Sequence, residues 1–162
     1  MKTYQSYSSA GTKRFGERIA RKIAKSGARS AAKGAFVIAL TGELGSGKTT
    51  FVQGFLRGFG IRRGGASPTF VLIKRYAICS KRFASIYHVD AYRLKKAKDL
   101  LALGFKEILD DPQNIVLIEW AEKIKKILPR PHRLAKHGGQ ARNTLWLRFS
   151  HCKKENERKI SL

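Results

Sequence analysis

Residues 42–49, Gly42-Glu43-Leu44-Gly45-Ser46-Gly47-Lys48-Thr49, fit the pattern G-x-x-x-x-G-K-[ST], and their flanks decide what the pattern means. The preceding run Ala35-Phe36-Val37-Ile38-Ala39-Leu40 is continuously apolar, as in a parallel strand buried on both faces. Thr49 to Phe59 then predicts a helix with Phe51, Val52, Phe55, Leu56 and Phe59 on one face and Gly60 as its C-terminal cap. Strand, glycine-rich turn and helix in this order describe a phosphate-binding loop. The glycines let the backbone curl around anionic oxygens, and successive N–H groups at the positive helix end point at them. Lys48 adds a point charge, Thr49 places a hydroxyl on a magnesium ion bridging the terminal phosphates, and Thr50 helps hold the phosphate nearest the sugar.

A chain of 162 residues is long enough for one domain with its own core, and nothing in its layout calls for a second. The expected ordered core runs over about residues 12–150, between flexible basic tails. No stretch approaches the ~18 consecutive apolar residues of a membrane span, and the start lacks the apolar core of a signal peptide, which predicts a soluble cytoplasmic protein. Cys79 and Cys152 lack metal-ligand spacing and read as reduced thiols. With 34 Lys and Arg against 11 Asp and Glu, the formal net charge is +23. Such a surface attracts polyanions, RNA among them, although a simply solvated basic surface has the same composition.

Outward from the loop, Phe15, Ile19 and Ile23 recur every fourth residue among basic neighbours and predict an amphipathic helix opened by Thr12 as its N-cap. Phe70 to Ile78 and Phe83 to Asp90 predict an antiparallel hairpin. Asp90 then lies at the C-terminal end of a strand, where ligands bind open α/β sheets. Leu94–Leu103 and Phe105–Leu109 are predicted helical. Ile115-Val116-Leu117-Ile118-Glu119 is four apolar residues and an acid, the pattern of a second metal-site strand, with a helix expected from Ala121 to Leu128. Residues 129–142 form a basic loop by composition, and Leu145, Leu147 and Phe149 alternate in a last strand. The predicted fold is α/β: a P-loop NTPase-like three-layer arrangement around a mixed central sheet with an antiparallel hairpin.

Taken together, the segments Leu40–Phe51, Ser67-Pro68-Thr69-Phe70, His88-Val89-Asp90-Ala91-Tyr92-Arg93-Leu94, Leu103-Gly104 and Ile118-Glu119-Trp120-Ala121 resemble the TsaE (YjeE) family over residues 12–149. The departures are Ser46 where alanine is frequent, Ala91 where leucine is usual, an enlarged basic loop before the first strand, and the overall basicity. The resemblance implies a P-loop ATPase that binds ATP and Mg²⁺, joins TsaB and TsaD homologues, and supports formation of threonylcarbamoyladenosine in tRNA. It casts Thr69 as a sensor of the terminal phosphate in a switch-like segment. Asp90 and Glu119 both belong to the metal and water region, and which one ligates directly stays open. The resemblance also sets Thr12 against the adenine and brings Arg142 toward the nucleotide or a partner, beside simpler readings as a helix cap and a solvated arginine. Trp120 is either core or a lid over the site. His88 reads as structural, since no second histidine or cysteine is spaced with it for a metal.

Two other functions fit parts of the pattern. A small P-loop kinase would transfer phosphate to a metabolite and consume ATP in proportion to a phosphorylated product. A nucleic-acid-binding module with a structural nucleotide would bind RNA tightly and hydrolyse little.

Overall fold

The apolar run ahead of the loop is strand β2 (Phe36–Gly42), and four of its residues, Val37 to Leu40, are fully buried. Its neighbours on either side are parallel to it: β5 (Asn114–Glu119) and β6 (Thr144–His151). The computed structural model describes residues 3–25, 34–62, 72–94, 96–129, 144–152 and 157–162. Within them the sheet has seven strands in the order β1-β7-β6-β2-β5-β4-β3. Strand β4 (Ser85–Asp90) runs parallel to β5, and β3 (Ile73–Ala77) closes that edge as the antiparallel arm of the expected hairpin.

The other edge differs from expectation. Residues Thr3–Ser6 form β1 and Arg158–Ser161 form β7, pairing antiparallel with each other, while β7 also pairs with β6. Both lie in segments read from composition as flexible tails. Charge and polarity misled there because short strands at the side of a sheet need few apolar contacts: Tyr4, on the edge strand β1, packs on the core, and Ile160, on β7, is fully buried.

Helix α1 (Ser9–Lys25) and helix α2 (Lys48–Gly58) cover one face of the sheet. The helix α1 starts three residues before Thr12, so Thr12 is not its N-cap. Ser8 fills that role, its Oγ accepting the amide of Gly11 at 3.0 Å and its carbonyl accepting the amide of Thr12. The two helices cross at glycines. A Cβ on Gly54 would stand 2.1 Å from the Lys13 carbonyl oxygen, and one on Gly16 would stand 2.4 Å from that of Phe51. The glycines cost helix propensity but allow backbone contact.

The opposite face is covered by α3 (Ala97–Leu101), α4 (Phe105–Asp110) and a 3₁₀ turn (Ala121–Ile124) that stands where a longer helix was expected. These layers give the three-layer α/β fold predicted for a P-loop protein. Phe51, three residues after Lys48, ties the loop to the core by packing on Phe15 (5.8 Å between centroids) and Phe149 (5.7 Å). Such ring pairs add roughly 0.5–1.5 kcal/mol each beyond area burial, which keeps the first turn of α2 rigid.

Candidate functional site

Strands β2, β5 and β4 lie side by side, and the last residues of β5 and β4, Glu119 and Asp90, face one pocket with the loop that follows β2. In register, Leu40 lies opposite Glu119, and Glu119 lies opposite Asp90. The chain leaves β2 through Gly42 at φ 130°, where a Cβ would meet the Phe149 carbonyl oxygen at 2.1 Å, so only glycine permits the exit. Gly47, at φ 99°, caps α2 without a side chain to occupy the first-turn amides. A pocket of about 350 Å³ opens at this helix end, lined by residues 44–50 together with Leu72, Asp90, Tyr92, Arg93, Glu119 and Trp120.

Lys48 is 4% exposed, and its ammonium donates to the carbonyls of Gly42 and Glu43, both at 2.7 Å, and to Ser46 Oγ at 3.4 Å. The Trp120 ring lies 4.0 Å from the same Nζ. Burial pushes the Lys48 pKa below the usual lysine value, while Glu119, Glu122 and Asp90 oppose that shift. A phosphate arriving beside Lys48 would favour the charged ammonium again.

Glu119 is 2% exposed and serves two partners at once. Its Oε2 accepts the Thr49 hydroxyl at 2.7 Å, and its Oε1 accepts from His88 Nε2 at 2.9 Å. His88 is fully buried, and among the described residues its Nδ1 has no hydrogen-bond partner. An Nε2–H tautomer fits this arrangement, with the proton directed at the carboxylate. Asp90 is half-buried at the pocket wall, where its Oδ1 accepts the Tyr92 amide at 3.0 Å. Among the described residues no three His, Cys, Asp or Glu side chains gather into a metal cage. Magnesium does not require one, since it is commonly held through one or two carboxylates and substrate phosphates. The Thr49 hydroxyl and the oxygens of Glu119 and Asp90 form a hard donor set that suits it.

Trp120 covers this arrangement from outside. It is half-buried with φ 58°, a conformation rare for a bulky residue, and its ring packs on Tyr92 at 5.0 Å between centroids. Lys123 Nζ donates to the Tyr92 carbonyl and anchors that flank. Of the two roles open from sequence, Trp120 therefore lies over the phosphate loop, although it also packs on the neighbouring core.

The sequence-predicted residues Gly42 to Thr50, Asp90 and Glu119 thus meet at one place. Thr12 is also close: its Cγ2 lies 3.7 Å from where a Gly47 Cβ would be, while its hydroxyl donates to Ser6 Oγ at 2.9 Å. Thr69, with the whole segment Ser67–Phe70, and Arg142 fall outside the described residues. Two contacts were not anticipated. His151, at the end of β6, donates from Nε2 to the Leu44 carbonyl at 3.0 Å and holds the tip of the loop. Arg158, on β7, brings its side chain beside Gly47. Neither carries a motif: His151 reaches the loop from the end of β6, the parallel neighbour of β2, and Arg158 reaches it from β7, which pairs with β6.

Comparison with known proteins identifies the family. The family model described as threonylcarbamoyl adenosine biosynthesis protein TsaE matches residues 6–159. The chain belongs to the TsaE family. Relatives named tRNA threonylcarbamoyladenosine biosynthesis protein TsaE include one from Haemophilus influenzae, 38% identical over 72% of this chain and 68% of the relative. Those from Bacillus subtilis and Rickettsia felis are 41% and 40% identical over 61% and 71% of this chain. The matches span less than two thirds of these latter two proteins, 59% and 64%. Among solved structures, that of Bacillus subtilis YdiB superposes with a TM-score of 0.68 at 28% identity, covering 98% of this chain and 82% of the other. The TsaE match includes residues 6–11 and 150–159, beyond the limits of the resemblance read from motifs.

Proposed function

We propose that this TsaE-family chain binds and hydrolyses ATP with Mg²⁺ in the cytoplasm and so supports turnover of the complex that makes threonylcarbamoyladenosine in tRNA, together with TsaB and TsaD homologues. The family names supply the pathway. The observation that carries the enzymatic reading is the buried chain His88–Glu119–Thr49, which fixes a carboxylate and a hydroxyl at the open end of the phosphate loop.

In this reading residues 42–48 cradle the phosphates with backbone N–H groups, and Lys48 exchanges its loop carbonyls for phosphate oxygens. Bound magnesium would neutralise charge on the terminal phosphates, with Thr49, Glu119 and Asp90 as the residues to hold it. Glu119, pinned by His88, keeps its orientation as Thr49 turns toward the ligand. Asp90, nearer solvent, is positioned to order the attacking water or to share the metal. Trp120 shields Lys48 from bulk water, which strengthens its attraction for an anion. Thr12 and Arg142 are assigned to the nucleotide's outer parts, and Thr69 to sensing its terminal phosphate.

Phosphate release by the purified chain, measured with ATP and Mg²⁺ and no acceptor, tests the chemistry. A pull-down from cell extract with ATP tests the assembly. Phosphate release together with recovery of TsaB and TsaD homologues is the expected result. Consumption of ATP only when a metabolite is supplied would replace this reading with a kinase.

A further inference from the structure

The charge of this molecule is unevenly distributed. Helix α1 carries six bases, Lys13, Arg14, Arg18, Arg21, Lys22 and Lys25, against one acid, Glu17. On the opposite side of the sheet, residues 96–111 and the 3₁₀ turn Ala121–Ile124 hold four bases, Lys96, Lys98, Lys106 and Lys123, against five acids, Asp99, Glu107, Asp110, Asp111 and Glu122. A surface made basic by composition alone would treat both helical layers alike. The buried face of α1 is occupied by Phe15, Gly16, Ala20 and Ile23 against α2 and the sheet, which leaves the bases outside.

Position adds to number. Arg14, Arg18, Arg21 and Lys25 fall at i, i+4, i+7 and i+11, so they share one stripe, and all four are exposed, with Lys22 beside them. At 1.5 Å per residue the stripe is about 16 Å long. That length covers several consecutive phosphates of a nucleic-acid strand and exceeds the reach of a single small anion. Among the described residues little neutralises it: Glu17 reaches Arg21 at 3.7 Å, with the Arg21 side chain still 68% exposed. Arg18 is held in the stripe by its guanidinium over the rings of Tyr4 (5.1 Å) and Phe15 (5.3 Å), which limits the entropy lost when it binds an anion. The helix begins beside the phosphate loop, with Thr12 next to Gly47, so the stripe runs away from the nucleotide pocket on the same layer.

We propose that the exposed face of α1, formed by Arg14, Arg18, Arg21, Lys22 and Lys25, is a docking surface for the phosphate backbone of RNA. The inference rests on the tRNA-modification reading for the choice of RNA as the polyanion. It does not rest on ATP hydrolysis, and its test measures none. Recognition is through backbone charge and carries little sequence preference.

The test uses the full chain and a labelled unmodified tRNA, with affinity followed from 0.05 to 0.3 M salt. The variant Arg14→Gln/Arg21→Gln/Lys25→Gln removes three charges from solvent-facing positions and leaves Arg18 on its rings. If each head neutralises one phosphate, the slope of log affinity against log salt falls by about 2–3, and affinity at 0.1 M salt falls on the order of 10²-fold. The control variant Lys98→Gln/Lys106→Gln/Lys125→Gln removes the same charge elsewhere and should change affinity only a few-fold. Circular dichroism and thermal melting establish that both variants remain folded. Equal losses in the two variants would overturn the proposal in favour of diffuse attraction, as would an unchanged salt slope in the α1 variant. Loss of binding to anionic phospholipid vesicles in the α1 variant, with tRNA affinity unchanged, would also overturn it by assigning the stripe to a membrane surface.

Discussion

Replacing His88 separates a role in holding Glu119 from a role in packing. In the native protein His88 donates one hydrogen bond, to Glu119 Oε1 at 2.9 Å, and keeps one buried nitrogen, Nδ1, without a partner among the described residues. His88→Leu removes both, leaving Glu119 Oε1 without that donor. Losing a buried partner costs about 1–3 kcal/mol, but deleting the orphaned Nδ1 returns a similar amount. The net stability change should therefore be small, about 0–2 kcal/mol, or a fall in Tm of at most roughly 8 °C at this chain length. The effect on Mg²⁺ should be disproportionate, because residues behind a ligand typically govern metal affinity by ~10–100-fold. His88→Gln, whose amide can still donate toward Glu119, should retain most of the native behaviour. The assay is calorimetric titration of nucleotide at varied Mg²⁺, read beside thermal melting of each variant. A folded His88→Leu protein with native Mg²⁺ dependence would refute the argument and return His88 to the core.

Other substitutions probe separate parts of the account. Lys48→Ala should lower phosphate release by at least about 10²-fold, measured at saturating ATP, with far-UV circular dichroism unchanged. Glu119→Gln and Asp90→Asn should each raise the Mg²⁺ concentration needed for half-maximal hydrolysis, and the larger rise identifies the more direct ligand; no rise in either would mean both acids are structural. Gly54→Ala forces a methyl to 2.1 Å from the Lys13 carbonyl, so α1 and α2 must separate; a loss of about 1–3 kcal/mol or more in urea unfolding is expected. Because burial lowers the Lys48 pKa, the unfolded chain binds its proton more readily between the lowered value and the ordinary 10.5. Native stability should therefore rise with pH across that window relative to Lys48→Met, as followed by urea unfolding at alkaline pH.

The parts of this protein legible from sequence are those where a local pattern has a single physical meaning. Val37 to Leu40, directly ahead of the glycine-rich turn, suit a strand buried on both faces, and Gly42 to Thr49 turn from it in a way few other residues allow. Asp90 and Glu119 were legible as strand-end acids, and the parallel register of β4 and β5 sets them side by side. The partnership of His88 with Glu119 was legible in principle: residues two apart share a strand face, so His88 and Asp90 lie on the same face as Leu117 and Glu119. The structural reading of His88 holds, and its partner is Glu119 on the neighbouring strand, which no local spacing names. The contacts of His151 and Arg158 with the loop could not be read locally, since the first depends on β6 lying beside β2 and the second on β7 inserting between β1 and β6. Polar terminal segments gave no sign of that pairing, and the N-cap was misplaced because Ser8 and Thr12 are equally suitable by residue type.

The central claim is that this chain hydrolyses ATP as a partner-dependent subunit. Single-turnover release of phosphate, with and without TsaB and TsaD homologues, tests it most directly. A slow reaction by the chain alone, accelerated on the order of 10³-fold or more by the partners and abolished in Lys48→Ala, is the predicted result. A fast reaction indifferent to the partners, or phosphate recovered on a metabolite instead of in water, would contradict it.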